Sequence, residues 1–340
     1  MGVNIADLVE PEESSLDSFK GRAFAIDALN MLYQFLSIIR QPDGEPLKDS
    51  NGRITSHLSG LFYRTTKLVE HEIRPFYVFD GKPPEFKESV NNERREKREE
   101  ARKKYKDALK RGNIEKAEKY AKQSTTVQKE MVNQSKNLLD AMGIPWVQAP
   151  SEGEAQAAHM TKKGDAWAVG SQDFDALLFG SPILVRNLTI TGKRKLPNKQ
   201  QYKKIRPEKL DLEKILNKNG ISREQLIIMG ILVGTDYTPG GVKGVGPKNA
   251  LKLVKKHGDL RSVINQVDWP FEKDPEDILN LFMNPSVTDD YKIEWRDPSK
   301  EKIKSFLCDR HDFSEDRIKK PIERLQRDRN KGTQSRLDTF

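Results

Sequence analysis

Residues 150–180 read PSEGEAQAAHMTKKGDAWAVGSQDFDALLFG and contain four carboxylates in two close pairs. Glu152 and Glu154 form the first pair, and Asp173 and Asp175 form the second. Each pair comes directly after a short apolar run of the kind that forms a buried strand. This placement predicts that both pairs lie at strand ends.

Helix capping is the simpler explanation for each pair taken alone. Ser151 and Glu154 have the spacing of a capping box, which would explain one glutamate at the start of the helix EAQAAHM but not Glu152. Ser171 or Asp173 could likewise cap a short helix DALLFG. Capping therefore stays open for each pair when the other acids are ignored.

Two further aspartates occupy the same kind of position. Asp27 ends the apolar run AFAI, and Asp80 ends PFYVF. With IPWVQA and AWAVG, these runs are typical of parallel strands separated by helices, which predicts an α/β fold with a mostly parallel central sheet. Ligands of such sheets bind outside the carboxyl ends of the strands. All four strands are therefore expected to direct acid to one edge.

Six carboxylates at one edge of a sheet would repel one another strongly unless a cation neutralised them. The sequence offers no matching cluster of His or Cys, and oxygen ligands favour Mg²⁺ or Mn²⁺ over Zn²⁺. We therefore interpret this edge as a two-metal site for phosphoryl transfer.

The composition indicates an intracellular protein that binds a polyanion. The 340 residues have a net charge of +9 and a pI near 9.3, so basic residues must be in surplus away from the acidic site. The longest apolar run, QLIIMGILVG, is about half of a membrane span, and MGVNIADLVE lacks the features of a signal peptide. The single Cys308 excludes an internal disulfide and suits a cytoplasmic setting.

Residues 87–122 differ sharply from the rest of the chain. They contain 14 Lys or Arg against eight Asp or Glu, and they are strong helix formers interrupted by Gly112-Asn113. The pattern predicts a helical hairpin that buries little and becomes ordered on binding an anion, with a solvated coiled coil as the alternative. Lys87 and Arg94 are seven residues apart and share one helix face, where a cation could stabilise charge on a phosphate.

The segment GVGPKNA at residues 244–250 is the strongest local motif. Gly244 and Gly246, with an alanine four residues later, have the spacing of helix-hairpin-helix DNA-binding elements, in which free backbone N–H groups face a phosphate. An ordinary Gly-rich turn is the alternative. Asp236, just before the motif, is a seventh candidate metal ligand. Nearby basic residues would add attraction to a phosphate backbone: Lys248, Lys252, Lys255 and Lys256.

Together these motifs resemble those of archaeal flap endonucleases, in the structure-specific 5′ nuclease superfamily. The matching segments occur in the family's order and cover essentially the whole chain: AIDALNMLYQF, YVFDGKPP, SEGEAQAA, GSQDFDALLFG and GTDYTPGGVKGVGPK. The resemblance implies a PIN-like nuclease fold with a protruding helical arch and a helix-hairpin-helix element.

The resemblance also implies roles for single residues. It makes Lys87 and Arg94 the catalytic cations at the base of the arch. It makes Tyr33, whose spacing alone predicts a core residue, a stacking platform for a base at the cleavage point. Arg40 and Arg64 fall on positions that hold DNA beside the flap junction. Metal binding is assigned to seven acids: Asp27, Asp80, Glu152, Glu154, Asp173, Asp175 and Asp236.

Two further binding sites are implied by the resemblance. The loop near Asp236 is expected to hold a K⁺ ion with backbone oxygens. The carboxy-terminal Gln334, Leu337 and Phe340 resemble the box that binds the sliding clamp (PCNA), although the chain stops at the first of the two adjacent aromatic residues that are usual there. This departure indicates either a truncated sequence or a reduced affinity for the clamp.

We expect one nuclease domain at residues 1–325 and a flexible tail at 326–340. The domain is predicted to comprise an N-terminal region (about 1–85), the arch (about 86–130) and an internal nuclease region (about 131–262) with the helix-hairpin-helix element at about 225–262.

The predicted activity is Mg²⁺-dependent cleavage of a single-stranded 5′ flap at its junction with duplex DNA, in replication and repair, with weaker 5′–3′ exonuclease activity. We expect a monomer that recognises branched DNA by its shape and has no membrane partner. Two alternatives stay open. A related nuclease for four-way junctions or repair bubbles would share the acids, but the short arch and the clamp box argue against it. A non-catalytic DNA-binding scaffold would keep its function after the acids were neutralised.

Overall fold

A seven-stranded sheet forms the centre of the protein, whose structure is a computed structural model. The structure describes residues 2–84, 88–190, 192–195 and 202–337. The strands are β1 (Glu12–Glu13), β2 (Ala23–Asp27), β3 (Arg74–Phe79), β4 (Trp146–Gln148), β5 (Ala168–Gly170), β6 (Ile183–Arg186), β7 (Gly192–Lys195), β8 (Tyr202–Ile205) and β9 (Glu208–Asp211).

Five strands of the sheet run parallel in the order β6, β5, β2, β3, β4. β9 pairs antiparallel with β6, and β1 pairs antiparallel with β9. β7 and β8 form a separate antiparallel hairpin. The four apolar runs identified in the sequence are β2 to β5, which are neighbours in the sheet. The predicted α/β fold with a mostly parallel central sheet is therefore confirmed.

Both faces of the central strands are buried, which explains why their apolar runs are continuous. In β2, Ala25 joins one hydrophobic cluster, whereas Phe24 and Ile26 join the other. The residues of β3 alternate between the two clusters in the same way. Because successive side chains of a strand point to opposite faces, the sheet divides the core into two layers.

Helices cover both core layers. The acids lie between the end of a strand and the start of the helix that follows it. Asp27, the last residue of β2, caps the following helix by accepting a hydrogen bond from Asn30 N–H at 3.0 Å. The helices are α1 (Ala28–Ile38), α2 (Ser56–Glu70), α3 (Glu88–Lys110), α4 (Ile114–Gln123), α5 (Lys129–Met142), α6 (Gly153–Lys163), α7 (Asp175–Leu178), α8 (Leu212–Asn219), α9 (Arg223–Val233), α10 (Pro247–His257), α11 (Leu260–Ile264), α12 (Pro275–Met283), α13 (Lys300–Lys304) and α14 (Glu315–Leu337).

Helix capping does not account for the two acidic pairs of residues 150–180. Glu152 occupies the position before α6 without a side-chain cap bond, so the Ser151 capping box does not form. Phe174 precedes α7, also without a side-chain cap bond. The acids at these two strand ends therefore need another explanation.

α3 and α4 form the predicted helical hairpin, but the hairpin has a small core of its own. Tyr105, Ala108, Ala117 and Ala121 are buried against one another. The Tyr105 hydroxyl also donates to Glu45 Oε1 at 2.7 Å, which ties the hairpin to the loop between α1 and α2. The expectation that the hairpin buries little is thus wrong in part, because alanine and tyrosine side chains form this core without large aliphatic residues. Its protrusion and its ordering by an anion stay predictions.

The last helix, α14, packs against α2 through Ile318, Ile322 and Leu325, which are buried in one of the two core layers. The helix continues to Leu337. Residues 326–337 of the predicted tail lie in this helix, and the flexibility of the tail stays a prediction. The domain boundaries stay predictions. None of the helices in the described part of the chain is long and apolar enough to cross a membrane.

Candidate active site

The carboxyl ends of β5, β2, β3 and β4 face one cavity of about 1010 Å³. Asp175 is buried beside this cavity, where its Oδ1 accepts a hydrogen bond from Val3 N–H at 2.7 Å. The other six predicted metal ligands lie in the cavity wall: Asp27, Asp80, Glu152, Glu154, Asp173 and Asp236. The structure therefore brings the acids of four strand ends to one place.

Gly153, the glycine between Glu152 and Glu154, fixes the position of the Asp80 carboxylate. Gly153 N–H donates to Asp80 Oδ1 at 2.8 Å. A Cβ at Gly153 would lie 2.5 Å from the same oxygen, closer than Cβ atoms approach in proteins. Any side chain there would displace the Asp80 carboxylate. Gly153 thus belongs to the site, although the sequence analysis did not identify it.

Asn30 and Ser171 connect acids from different strands. Asn30 donates its N–H to Asp27 Oδ1 at 3.0 Å and its Nδ2 to Asp173 Oδ2 at 2.8 Å. The Ser171 hydroxyl lies 3.0 Å from Glu154 Oε1 and 3.4 Å from Asp27 Oδ2, and its single hydrogen can serve one of them at a time. Neither role is visible in the sequence, because these bonds join residues as far as 144 positions apart.

Burial and mutual repulsion raise the pKa of two of the acids. The pKa of Asp27 is raised to about 8, first by burial and then by the charges of Asp80 and Asp173. Burial also raises the pKa of Glu154 well above its usual range, and the charges of Asp27 and Asp175 add to the effect. Asp27 would hold a proton near neutral pH unless a cation compensated its charge, and burial likewise disfavours the charged form of Glu154.

The donor set suits a hard divalent cation. Every predicted ligand offers carboxylate oxygen, which Mg²⁺ and Mn²⁺ prefer. Within residues 2–84, 88–190, 192–195 and 202–337, no three His, Cys, Asp or Glu side chains form a group that would hold an ion by itself. The acids instead surround the cavity as an open set. A cation among them would offset the repulsion that raises the pKa of Asp27 and Glu154.

Basic residues of α3 line the same cavity as the acids. Lys97 and Arg98 lie in its wall, and the Arg98 guanidinium is 5.2 Å from the ring centre of Tyr33. Tyr33 itself is half-buried and lines the cavity, so it is not the core residue that its spacing alone predicts. Lys87 lies outside the described residues, and so does the side chain of Arg94. Their catalytic roles stay predictions.

Comparison with known proteins identifies the family. The XPG N-terminal domain matches residues 1–101, and the XPG I-region matches residues 143–236. Flap endonuclease 1 of Aeropyrum pernix is 56% identical over 349 residues, which cover 100% of this chain and 99% of the relative. The chain belongs to the flap endonuclease family.

Solved structures agree with membership of the flap endonuclease family. Flap endonuclease-1 from Methanococcus jannaschii superposes with a TM-score of 0.77 at 45% identity, covering 96% of this chain and 98% of its own. The catalytic core of Rad2 in complex with DNA substrate superposes with a TM-score of 0.69 at 24% identity, over 94% and 97% of the two chains. That second likeness shows the shared fold alone. The resemblance and the predicted α/β nuclease fold are confirmed, while the protruding arch and the helix-hairpin-helix element stay predictions.

The two arginines that the flap endonuclease resemblance assigns to DNA have different surroundings. Arg40 donates from Nη1 to Gly44 O and from Nη2 to Thr125 Oγ1, both at 2.7 Å, so it links the loop after α1 to the end of the hairpin. Arg64 lines another cavity, of about 450 Å³, between α2 and α14. Burial lowers the pKa of its guanidinium. The DNA contacts of both arginines stay predictions.

The predicted helix-hairpin-helix element consists of α9, a glycine-rich loop and α10. Gly246 is the residue before α10, and Pro247 is its first residue, as the motif predicts. Gly244 has a φ of +79°, which favours glycine, and a Cβ at Gly244 or Gly246 would meet no atom within 4 Å. Lys248 and Lys252 are exposed on α10. The loop thus presents open backbone next to basic side chains, while its contact with DNA stays a prediction.

The residues predicted to bind the sliding clamp lie at the end of this chain. Gln334 and Leu337 fall in α14, with side chains outside the described residues, and Phe340 lies outside them entirely. Their role in clamp binding stays a prediction.

Proposed function

We propose that the chain is a structure-specific endonuclease that cuts a single-stranded 5′ flap at its junction with duplex DNA and leaves a nick, with weaker 5′–3′ exonuclease activity. The observation that carries the proposal is the meeting of acids from four strand ends in one cavity. The full-length identity of 56% to a flap endonuclease 1 supports the same activity, in DNA replication and repair.

The acids of the cavity would hold two Mg²⁺ ions, for which Mn²⁺ can substitute. When bound, such ions polarise the scissile phosphate and make water a stronger nucleophile. The chain's own task is to hold the carboxylate oxygens in fixed directions. Gly153, Asn30 and Ser171 perform it through the hydrogen bonds described above.

Residues of the hairpin and of α1 would orient the flap strand. Lys87 and Arg94 are the proposed cations that stabilise negative charge on the reacting phosphate. Tyr33 would stack on the base next to the cleaved bond, in a wall of the cavity that also contains Lys97 and Arg98. Basic side chains in the wall would attract a phosphate backbone and leave the acids free to bind the metal.

The duplex would be held through its backbone. Gly244 and Gly246 allow a phosphate to approach the N-terminus of α10, and Lys248 and Lys252 add charge. The loop near Asp236 would hold a K⁺ ion. Arg40 and Arg64 would contact the junction. Specificity then depends on the shape of branched DNA, since these groups contact backbone and not base edges.

The enzyme would bind the sliding clamp through Gln334, Leu337 and Phe340. The two apolar side chains would fill a pocket on the clamp. We propose a monomeric intracellular enzyme for which the clamp supplies the link to replicating DNA.

Cleavage of three substrates in Mg²⁺ or EDTA tests the proposal. A 5′ flap, a repair bubble and a four-way junction of matched sequence would be compared at equal enzyme concentration. We expect cleavage of the flap in Mg²⁺ and none in EDTA. Faster cleavage of the bubble or junction would assign the chain to a different branch of the superfamily. Tight DNA binding without cleavage in any condition would indicate a non-catalytic scaffold.

A further inference from the structure

The amino-terminal segment passes directly beside the acidic cavity. Val3 and Ile5 are 2% and 0% exposed and belong to one of the two core layers, which fixes the path of the backbone. Gly2 and Asn4, which alternate with them, lie in the cavity wall. The first residues of the chain are thus part of the site, although the sequence analysis assigned them nothing.

One backbone group of this segment holds an acid in place. Val3 N–H donates to Asp175 Oδ1 at 2.7 Å, in a buried bond between residues 172 positions apart. A hydrogen bond to a carboxylate is stronger than one between neutral groups. Because Asp175 is only 6% exposed, solvent hardly competes for this oxygen.

Gly2, the residue before Val3, has no space for a side chain. A Cβ at Gly2 would lie 2.9 Å from both Asp173 Cβ and Asp175 Oδ1. The restriction on Gly2 comes from contact with the two aspartates. Gly2 therefore packs against the same acidic pair to which Val3 donates.

We propose that Gly2 and Val3 are positioning residues for the metal-binding pair Asp173 and Asp175. The inference rests on the proposed function, because it concerns the same acids. Groups that hydrogen-bond to metal-binding carboxylates orient them, and their loss typically weakens metal binding roughly tenfold to a hundredfold. The segment would thus contribute to metal affinity without touching the metal.

A matched pair of variants at one position separates the N–H from the side chain. Val3→Pro removes the donor, since proline has no backbone N–H, while Val3→Ala removes side-chain packing and keeps the donor. Mn²⁺ affinity, measured by electron paramagnetic resonance of the full chain without DNA, is expected to fall roughly tenfold or more in Val3→Pro relative to Val3→Ala. Equal affinities in the two variants would overturn the proposal.

Gly2→Ala provides a second test that leaves the core and the Val3 donor in place. Its added methyl group should push on Asp173 and Asp175, weakening Mn²⁺ binding while thermal unfolding in EDTA stays close to that of the parent. A higher Mn²⁺ concentration should restore part of the cleavage. Unchanged Mn²⁺ affinity in Gly2→Ala would also count against the proposal, even if Val3→Pro failed to fold.

Measurements on the unmodified chain show whether the proposed function or only the role of Gly2 and Val3 is wrong. If it neither binds Mn²⁺ nor cuts a flap, the proposed function itself is wrong. If it does both and the variants bind Mn²⁺ as the parent does, only the role of Gly2 and Val3 is wrong.

Discussion

Glu154 illustrates how a single residue in the cavity is fixed by its surroundings. Its Oε1 accepts a hydrogen bond from the Ser171 hydroxyl at 3.0 Å, and burial is the main cause of its raised pKa. Glutamine has nearly the same shape and can keep that bond through its side-chain oxygen. The substitution therefore removes charge with little change in packing.

Glu154→Gln should reduce flap cleavage in Mg²⁺ by roughly a hundredfold or more, since a metal site supplies several kcal/mol to the transition state. DNA affinity in Ca²⁺ should stay similar or rise, because negative charge is lost from a DNA site. Single-turnover rates and binding titrations measure the two effects. Glu224→Gln, an identical change at an exposed position on α9, is the control. Near-parental cleavage by Glu154→Gln would refute the metal assignment.

The sequence predicted the acids but not the residues that hold them. The acids follow apolar runs, and this local pattern locates strand ends. Asn30, Ser171 and Gly153 act through contacts with residues that are distant in the chain or through the absence of a Cβ. No spacing rule reports such contacts, because they depend on how strands are ordered in the sheet.

At the scale of elements, the strands were predicted well and the hairpin less well. β2, β3 and β5 are buried on both faces, so each gives a continuous apolar run that is visible in the sequence. The hairpin of α3 and α4 instead uses Tyr105 and three alanines for its small core. Alanine is also common on exposed helix faces, so the burial of these three alanines cannot be inferred from composition.

The loop before α10 can be tested with a substitution that the fold tolerates. Gly246 has φ −85° and ψ 176°, which any residue adopts, and a Cβ there meets no atom within 4 Å. Gly246→Val should therefore leave thermal unfolding nearly unchanged but weaken duplex binding, since a branched side chain would keep the phosphate from the backbone N–H groups. Titration of a plain duplex measures the affinity, and Gly246→Ala should show a smaller loss. Parental affinity at physiological salt would remove the helix-hairpin-helix assignment.

His57 makes the contact between α2 and α5 sensitive to acid. Its Nε2 lies 2.9 Å from Gln134 Oε1, and burial lowers its pKa from 6.5 to about 4, against a smaller raising effect of Gln134. The unfolded chain binds a proton below about pH 6.5 that the folded chain does not bind until about pH 4. Stability from this group is therefore complete above pH 6.5 and is lost as the pH falls toward 4.

The free energy of unfolding should thus fall by about 2 kcal/mol between pH 7.5 and pH 5 through His57 alone. Guanidinium denaturation at the two pH values measures this difference. His57→Gln cannot titrate, so its unfolding free energy should change less over the same interval, although it should be lower at pH 7.5. An equal pH dependence in parent and variant would show that His57 is protonated in the folded chain.

At the scale of the whole molecule, the packed core and the predicted clamp box occupy different parts of the chain. α14 is anchored on α2 by Ile318, Ile322 and Leu325, all of which precede the predicted clamp box. The last ten residues are polar and were assigned to partner binding by resemblance alone. Their removal should therefore leave the core intact.

Deleting residues 331–340 should leave cleavage of a free flap substrate unchanged and abolish its stimulation by the sliding clamp. Cleavage rates with and without clamp, on a circular substrate that retains the clamp, measure both. Replacing only Leu337 and Phe340 by alanine should reproduce the deletion if, as proposed, these two residues supply the apolar contact with the clamp. Stimulation that persists in the deletion would place the clamp contact elsewhere on the molecule.

The Asp27 carboxylate has two roles: it caps the start of α1, and it contributes charge to the acidic cavity. Both roles affect how a loss-of-function allele at this position is interpreted. An alanine allele removes the negative charge and also the acceptor for Asn30 N–H, a cap worth about 1 kcal/mol. An asparagine allele removes the charge but can keep the cap. Because α1 also carries Tyr33, an alanine phenotype mixes a chemical defect with a displaced helix. Only the asparagine allele separates the two functions genetically.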